Sequence, residues 1–365
     1  MSNFNKPEKE KLKNHTIFVI CGVTALVGLG LLMLFFLLYH GLPRNFKNQW
    51  GLSNSGQTIS GIRGIHGLDI NARAAWKITK GSSQIVIGLL DTGFAIADPN
   101  ISGSVFANEN EIVNGIDDDN NGYIDDIHGW DFYNNTNKVF DSSLHDYHGT
   151  NLASIIVGSH ENGKIAGVAP DIKLLPLKFM QGTSGSIKDA SVAIGYASTM
   201  GVKVINCSWD TMQYNKELET TIATHPEILF ICSAGNHKND LAKKPCYPAC
   251  FTLPNVICVA AIQNDGKLYE FSGYGKKVHI FAPGVKILAM FPGGKCDYVE
   301  GASVATAYVS GIAGLVLSVN PGLTSIELAE ILIEGSVKRK GKANSTSIID
   351  AAKCIEIAKS KMKGV

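Results

Sequence analysis

Asp91, His148 and Ser303 are the residues of this chain whose types and settings allow covalent chemistry. Asp91 closes the apolar run IVIGLLDTG, His148 lies in DYHGTNLA, and Ser303 lies in EGASVATAYVSG at the head of an apolar helical pattern. A serine hydroxyl is a weak nucleophile at neutral pH. It attacks only when a base takes its proton and an acid orients that base. Histidine suits the base, and a buried carboxylate would fix its tautomer and stabilise the imidazolium. A helix starting at Ser303 would set the positive end of its dipole beside an oxygen that gains negative charge. Gly93, Gly149 and Gly301 flank the three positions and let backbone crowd close to them. Taken singly, each segment is an ordinary turn or loop. The ordered set, each member set against an apolar run, carries the reading.

The elements that must position these residues follow from the pattern around them. Residues 84–90, 173–179, 202–207, 228–232 and 256–261 are short aliphatic runs with little alternation, as in strands buried on both faces. Residues 151–158, 186–200, 215–224, 303–319, 325–334 and 348–361 carry helical patterns. Buried strands alternating with helices predict an α/β fold, a mainly parallel sheet with helices on both faces. Such sheets bind ligands at the carboxyl ends of their strands. Asp91, Ser208 and Asn236 each follow a predicted strand, so the topology would bring them to one edge.

The chain has 365 residues, a net charge of +1 and well-mixed charges, which argues against a nucleic-acid partner. Residues 16–39 hold no charged side chain, and about 20 apolar residues suffice to cross a bilayer. A cleaved signal peptide would have a shorter apolar stretch, about 7–15 residues, ending in a small-x-small site. The segment Leu37-Leu38-Tyr39-His40-Gly41 offers none, so an uncleaved transmembrane helix is expected. Lys6, Lys9, Lys11 and Lys13 precede it, against Arg44 and Lys47 behind it. That asymmetry keeps the N-terminus inside and exports the rest. The expected organisation is a tail at 1–15, an anchor at 16–39, a linker at 40–48 and one domain at 49–365. The protein would be a single-pass membrane protein with its folded domain outside the cytoplasm.

Of eight cysteines, Cys21 lies in the anchor, and no spacing suggests a zinc site. Cys207, Cys232 and Cys258 read as small buried hydrophobes. Cys246 and Cys250 are close enough in sequence to suggest a disulfide, which proximity alone does not establish.

Residues 117–126 read DDDNNGYIDD. Asp117, Asp119 and Asn121 alternate, Gly122 follows, then Tyr123 with an available carbonyl and Asp125. This matches the first nine positions of a loop that wraps a hard cation in oxygens. His128 stands where the usual bidentate Glu would be, so Asp125 or Asp126 would supply the remaining oxygens. A solvated acidic turn is the alternative. Five carboxylates crowded together favour a calcium ion.

The Asp…His…Ser order and its motifs resemble the subtilisin-like serine proteases, from about Gln49 to about Lys361. The resemblance implies a serine endopeptidase acting on protein or peptide substrates. It assigns Asn236, in FICSAGN, as oxyanion donor together with the Ser303 amide. It places Ser208, Trp209 and Asp210 on a segment that pairs with substrate as an added strand. Ser233, Ala234 and Gly235 would form the facing wall of the S1 pocket, and Cys246 its floor, as a free thiol. The family usually has Gly where Asp210 stands, and a carboxylate there would suit Lys or Arg in a nearby subsite. A cis Tyr247-Pro248 bond is implied too, as is a calcium-binding insertion between the Asp and His motifs. Departures from the family pattern are Asn151 after His148-Gly149-Thr150, Ala302 and Val304 around Ser303, and Ala307-Tyr308. Family members usually carry a folding propeptide before this domain, but only residues 40–48 separate it from the anchor, so either the protein folds without one in cis or a propeptide or inhibitor acts in trans. Two rival readings are a catalytically impaired peptide-binding relative and a calcium-stabilised structural domain.

Overall fold

Aliphatic and β-branched side chains pack well on a pleated surface covered on both faces, and the apolar runs form strands accordingly. The computed structural model describes residues 42–141, 146–161, 163–341 and 344–362. The predicted tail and transmembrane helix lie outside these residues. The main sheet holds β1 (Val86–Asp91), β2 (Trp130–Asp131), β3 (Lys173–Lys178), β4 (Val204–Cys207) and β5 (Leu229–Ser233). It continues with β6 (Val256–Ile262), β7 (Ile280–Pro283), β8 (Ser336–Gly341) and β9 (Asn344–Ile349). Their spatial order is β8-β9-β7-β6-β5-β4-β1-β3-β2. Every neighbouring pair is parallel except β8 with β9.

All five predicted strands are present, shifted by one or two residues at their ends. Strands β2, β7, β8 and β9 were not foreseen. The sequence of β8, SVKRKG, is polar, as suits an exposed edge that must not recruit another chain. The predicted helix at 348–361 is corrected at its start. Ile348 pairs with Phe281 of β7, and the helix begins at Ala351, after the Asp350 carboxylate accepts the Lys353 N–H at 3.0 Å.

The helices are α1 (Tyr147–Val157), α2 (Ile187–Thr199), α3 (Lys216–Thr224), α4 (Ala302–Val319), α5 (Ser325–Glu334) and α6 (Ala351–Met362). Side chains that accept first-turn N–H groups set several starts. Ser186 caps α2, Asn215 caps α3, and Thr324 with Glu327 forms a capping box on α5. Helices α2 and α3 pack together, while α1, α5 and α6 gather around α4. Both groups reach β1, so they cover opposite faces of the sheet. Residues Ala302 to Leu317 of α4 are all buried, the pattern of a helix enclosed on every side. Among the described helices α4 alone is long and apolar enough to cross a membrane, and here it is the core helix.

Strand β1 lies between β3 and β4, so the chain runs to one side of it and then crosses to the other. A crevice opens at such a reversal, outside the carboxyl ends of the strands. Asp91 is the last residue of β1, and β4 and β5 end just before Ser208 and Ala234.

Candidate active site

Asp91 is fully buried, and its carboxylate meets His148 Nδ1 at 2.8 and 3.0 Å. The Thr92 N–H donates to the same carboxylate at 2.8 Å. His148 is the second residue of α1, so the helix start rather than a loop carries it. That start is held against the end of β1 by the residues beside the pair. The Thr92 hydroxyl accepts the Gly149 N–H at 3.0 Å, and the Thr150 hydroxyl accepts the Ala95 N–H at 3.0 Å. A methyl group on Gly149 would lie 2.0 Å from the Gly93 carbonyl oxygen, so only glycine permits this approach. The His148 side chain is 37% exposed, and the desolvation it does suffer would lower its pKa. The Asp91 charge and its hydrogen bond outweigh that and raise it above the ordinary 6.5.

A buried ion pair ties the same elements from below. Lys178, last residue of β3, places Nζ 2.6 Å from Asp146 and 3.1 Å from the carbonyls of Thr92 and Met180. Asp146 is the N-cap of α1, yet its side chain does not cap the helix. It is committed to Lys178 and to the Gly182 N–H instead. Sequence reasoning missed this pair. The available signal was a lysine inside the apolar run 173–179.

Ser303 is the second residue of α4 and is buried to 6% exposure. Gly301 precedes the helix at φ +149°, a conformation that side chains rarely adopt. A methyl group there would sit 3.1 Å from Ser303 Oγ and 3.2 Å from Asn236 Nδ2, so both atoms face one small space. The Ala302 N–H donates to Asn236 Oδ1 at 2.8 Å. Because an N–H can only donate, this bond selects the amide oxygen and leaves the Asn236 NH₂ pointing outward as a donor. The Ala302 N–H is thus engaged, and the next N–H groups of α4, beginning with Ser303, have no intrahelical partner. Together with Asn236 they make a set of donors able to stabilise an oxyanion.

A chain of buried hydrogen bonds fixes α4 against β4. The Ser310 hydroxyl donates to Asn206 Oδ1 at 2.9 Å, and Asn206 Nδ2 donates to Ser208 Oγ at 2.9 Å. Ser208 donates in turn to the Ser303 carbonyl at 2.8 Å. Asn206 was expected only as the start of the substrate-pairing segment and Ser310 was not singled out, although each is polar within an apolar run.

The residues expected to line a groove are gathered here. Ser208 and Asp210 turn toward Ser303 and Gly235, while Trp209 packs on Phe179 with ring centroids 4.9 Å apart. That alternation is the one an extended segment imposes. Asn151, where the family pattern has histidine, is buried and donates to the Met290 carbonyl at 2.7 Å, so it braces α1. Tyr247-Pro248 is cis. Cys246 and Cys250 are free, and Cys246 Sγ donates to the Ala234 carbonyl at 3.3 Å beneath the wall.

The sequence pattern of the subtilase family matches residues 82–348. The chain belongs to the subtilase family. It is 30% identical to the thermophilic serine proteinase of Bacillus sp. (strain AK1) over 73% of this chain and 60% of that one. It is 29% identical to thermitase of Thermoactinomyces vulgaris over 76% of this chain and 92% of that one. A third relative, subtilisin-like protease 2 of Plasmodium falciparum, is 33% identical over 56% of this chain and 16% of that one. The chain thus spans well under two thirds of several curated relatives. A solved cold-adapted subtilisin-like serine proteinase shares the fold, with a TM-score of 0.64 at 22% identity, covering 83% of this chain and 97% of that one.

Subtilases commonly bind structural calcium, and the loop at 117–126 was expected to hold it. Carboxylate oxygens of Asp117 and Asp119 lie within 4.8 Å of one another and of Glu111. Glu111 lies outside the loop motif, so the pattern could not reveal it. Three carboxylates at this spacing supply part of the roughly six to eight oxygens that a calcium ion takes. These three also accept hydrogen bonds, Glu111 from the N–H groups of Asp118, Asp119 and Asp125, Asp117 from those of Asn121 and Gly122, and Asp119 from Asn108 Nδ2 and the Asn121 N–H. The remaining expected ligands lie outside this cluster. Asp126 is fully buried and accepts from Asn108, Asn121 and Tyr196 at 2.9, 2.9 and 2.7 Å. Asp125 accepts the N–H groups of Asn114 and Gly115. Asn121 Oδ1 accepts the Tyr123 N–H, and the Tyr123 ring packs on Trp130 and Tyr196. A cavity of about 790 Å³ adjoins Asp119 and Asn121, away from Ser303.

Proposed function

We propose that this protein is a serine endopeptidase that hydrolyses peptide bonds through an acyl-enzyme on Ser303. The observations that support the reading are the Asp91–His148 pair at the end of β1 and, at the head of α4, Ser303 Oγ and Asn236 Nδ2 facing one small space. His148 takes the Ser303 proton as the oxygen attacks the peptide carbonyl, then gives it to the departing amine. Asp91 holds the proton on Nδ1 and so leaves Nε2 free as base. Asn236 Nδ2 and the Ser303 N–H stabilise the oxyanion. Water then repeats the sequence on the ester and frees Ser303.

The segment Ser208–Asp210 takes an extended peptide as an added strand, and protein or peptide chains are the substrates. Residues 16–39 anchor the enzyme in a membrane, with the catalytic domain on the extracytoplasmic side. Calcium held by Glu111, Asp117 and Asp119 stiffens the 111–126 loop, which contacts α2 through Asp126 and Tyr196. A fluorophosphonate probe tests the assignment, since only an activated serine reacts. Labelling of the parent and none of Ser303→Ala is expected. A parent that does not label would favour the peptide-binding alternative and overturn this one.

A further inference from the structure

Asp210 stands two residues beyond Ser208, and its side chain is only 14% exposed. Its Cγ and both oxygens lie 3.2 Å from the position a side chain on Gly235 would take, so the carboxylate covers that glycine. Gly235 adjoins Asn236, which holds the Ala302 N–H, and Ser208 holds the Ser303 carbonyl. Two extended residues span at most about 7 Å. The carboxylate is therefore enclosed between two segments that both touch the head of α4. Beneath it lies Cys246. Its thiol is pushed up by a hydrogen bond with Cys250, by burial and, third, by the Asp210 charge.

One oxygen of this carboxylate is engaged. His237 Nε2 lies 2.7 Å from Oδ2, and His237 is itself half exposed. No donor among the described residues reaches Oδ1. With no such donor, that oxygen stays open to an incoming group, which can supply one.

We propose that Asp210 is a specificity-determining residue that selects Lys or Arg immediately before the scissile bond. A side chain at that position leaves the tetrahedral centre between the Ser208–Asp210 edge and the Gly235 wall. A flat apolar ring would have to lie against the carboxylate where Gly235 is covered. An ammonium or guanidinium instead pairs with Oδ1 in a charge-assisted bond, while His237 keeps Oδ2 in place. The inference rests on the endopeptidase reading and deepens it to a substrate class.

The test is kcat/KM of the full chain on peptides that differ only at this position, carrying Lys, Arg, Gln, Phe or Ala. Lys and Arg should exceed Gln by about 10–100-fold, the worth of one hydrogen bond to a charged group. In Asp210→Asn the ratio should fall to within about threefold of one, and Asp210→Glu should restore part of it. A ratio within one variant is insensitive to any loss of folded protein. A parent that labels with fluorophosphonate but does not favour Lys or Arg overturns this inference alone. So does a preference that survives Asp210→Asn. A parent that fails to label overturns the endopeptidase reading, and this inference with it.

Discussion

Lys178 Nζ lies 2.6 Å from the Asp146 carboxylate, with both side chains sealed from water. The pair joins the end of β3, the segment after Asp91 and the start of α1 at one point, because Nζ also reaches the Thr92 carbonyl. Removing one partner of such a pair leaves the other as an uncompensated buried charge. Lys178→Met should cost about 3–5 kcal/mol in urea unfolding. Lys178→Met with Asp146→Leu should recover much of that. Equal stability of the parent and the single variant would show that the pair is not the brace described here.

The Asp91–His148 contact sets a pH dependence. Hydrolysis needs neutral His148, and its pKa is raised above 6.5, burial opposing and the Asp91 charge prevailing. Activity should therefore fall as pH drops through a midpoint above 6.5, read from kcat/KM between pH 5 and 9. Stability carries the opposite sign. A raised folded pKa contributes stability that is full below the unfolded value and lost as pH rises through the folded one. Asp91→Asn should move the rate limb to lower pH, because burial then acts alone, and reduce kcat by about 10⁴. A limb that stays in place in Asp91→Asn would detach that midpoint from His148.

Asn236 should act on turnover more than on binding. Its NH₂ faces the space beside Ser303 Oγ, where charge forms only during reaction. Asn236→Ala should lower kcat by about 10²–10³, the loss typical of one such donor in this family, with KM nearly unchanged. A variant whose loss falls wholly on KM would reassign Asn236 to ground-state binding.

Calcium should stabilise the native state through Glu111, Asp117 and Asp119. A ligand bound only by the folded protein adds about 2.7 kcal/mol at a hundredfold excess over its Kd. A chelator should lower the melting temperature of the parent by several degrees. Glu111→Gln and Asp119→Ala should start low and ignore the chelator. Asp126→Asn should behave differently, because Asp126 lies outside the three-carboxylate cluster and is fully buried against Asn108, Asn121 and Tyr196. It should lose stability both with and without calcium. Indifference of the parent to chelator in calorimetry would leave the loop as a hydrogen-bonded turn.

The local pattern determined the elements at this site. Aliphatic runs specified β1, β3, β4, β5 and β6, and an all-round apolar stretch specified α4, because burial on every side needs no knowledge of the partner. The positions of Asp91, His148, Ser303 and Asn236 at element ends were legible for the same reason. Residues of the site whose meaning depends on a distant partner were not. Lys178 and Asp146 are 32 residues apart, and Ser310 and Asn206 are 104 apart. Glu111 joins Asp117 and Asp119 only after the loop closes on it. Asp210 was visible as a charge where the family has glycine, but its enclosure against Gly235 and its bond to His237 were not. A polar side chain in an apolar run signals only that a partner exists. Which partner it finds is settled when parallel strands and their crossover helices bring separate segments to one edge of the sheet.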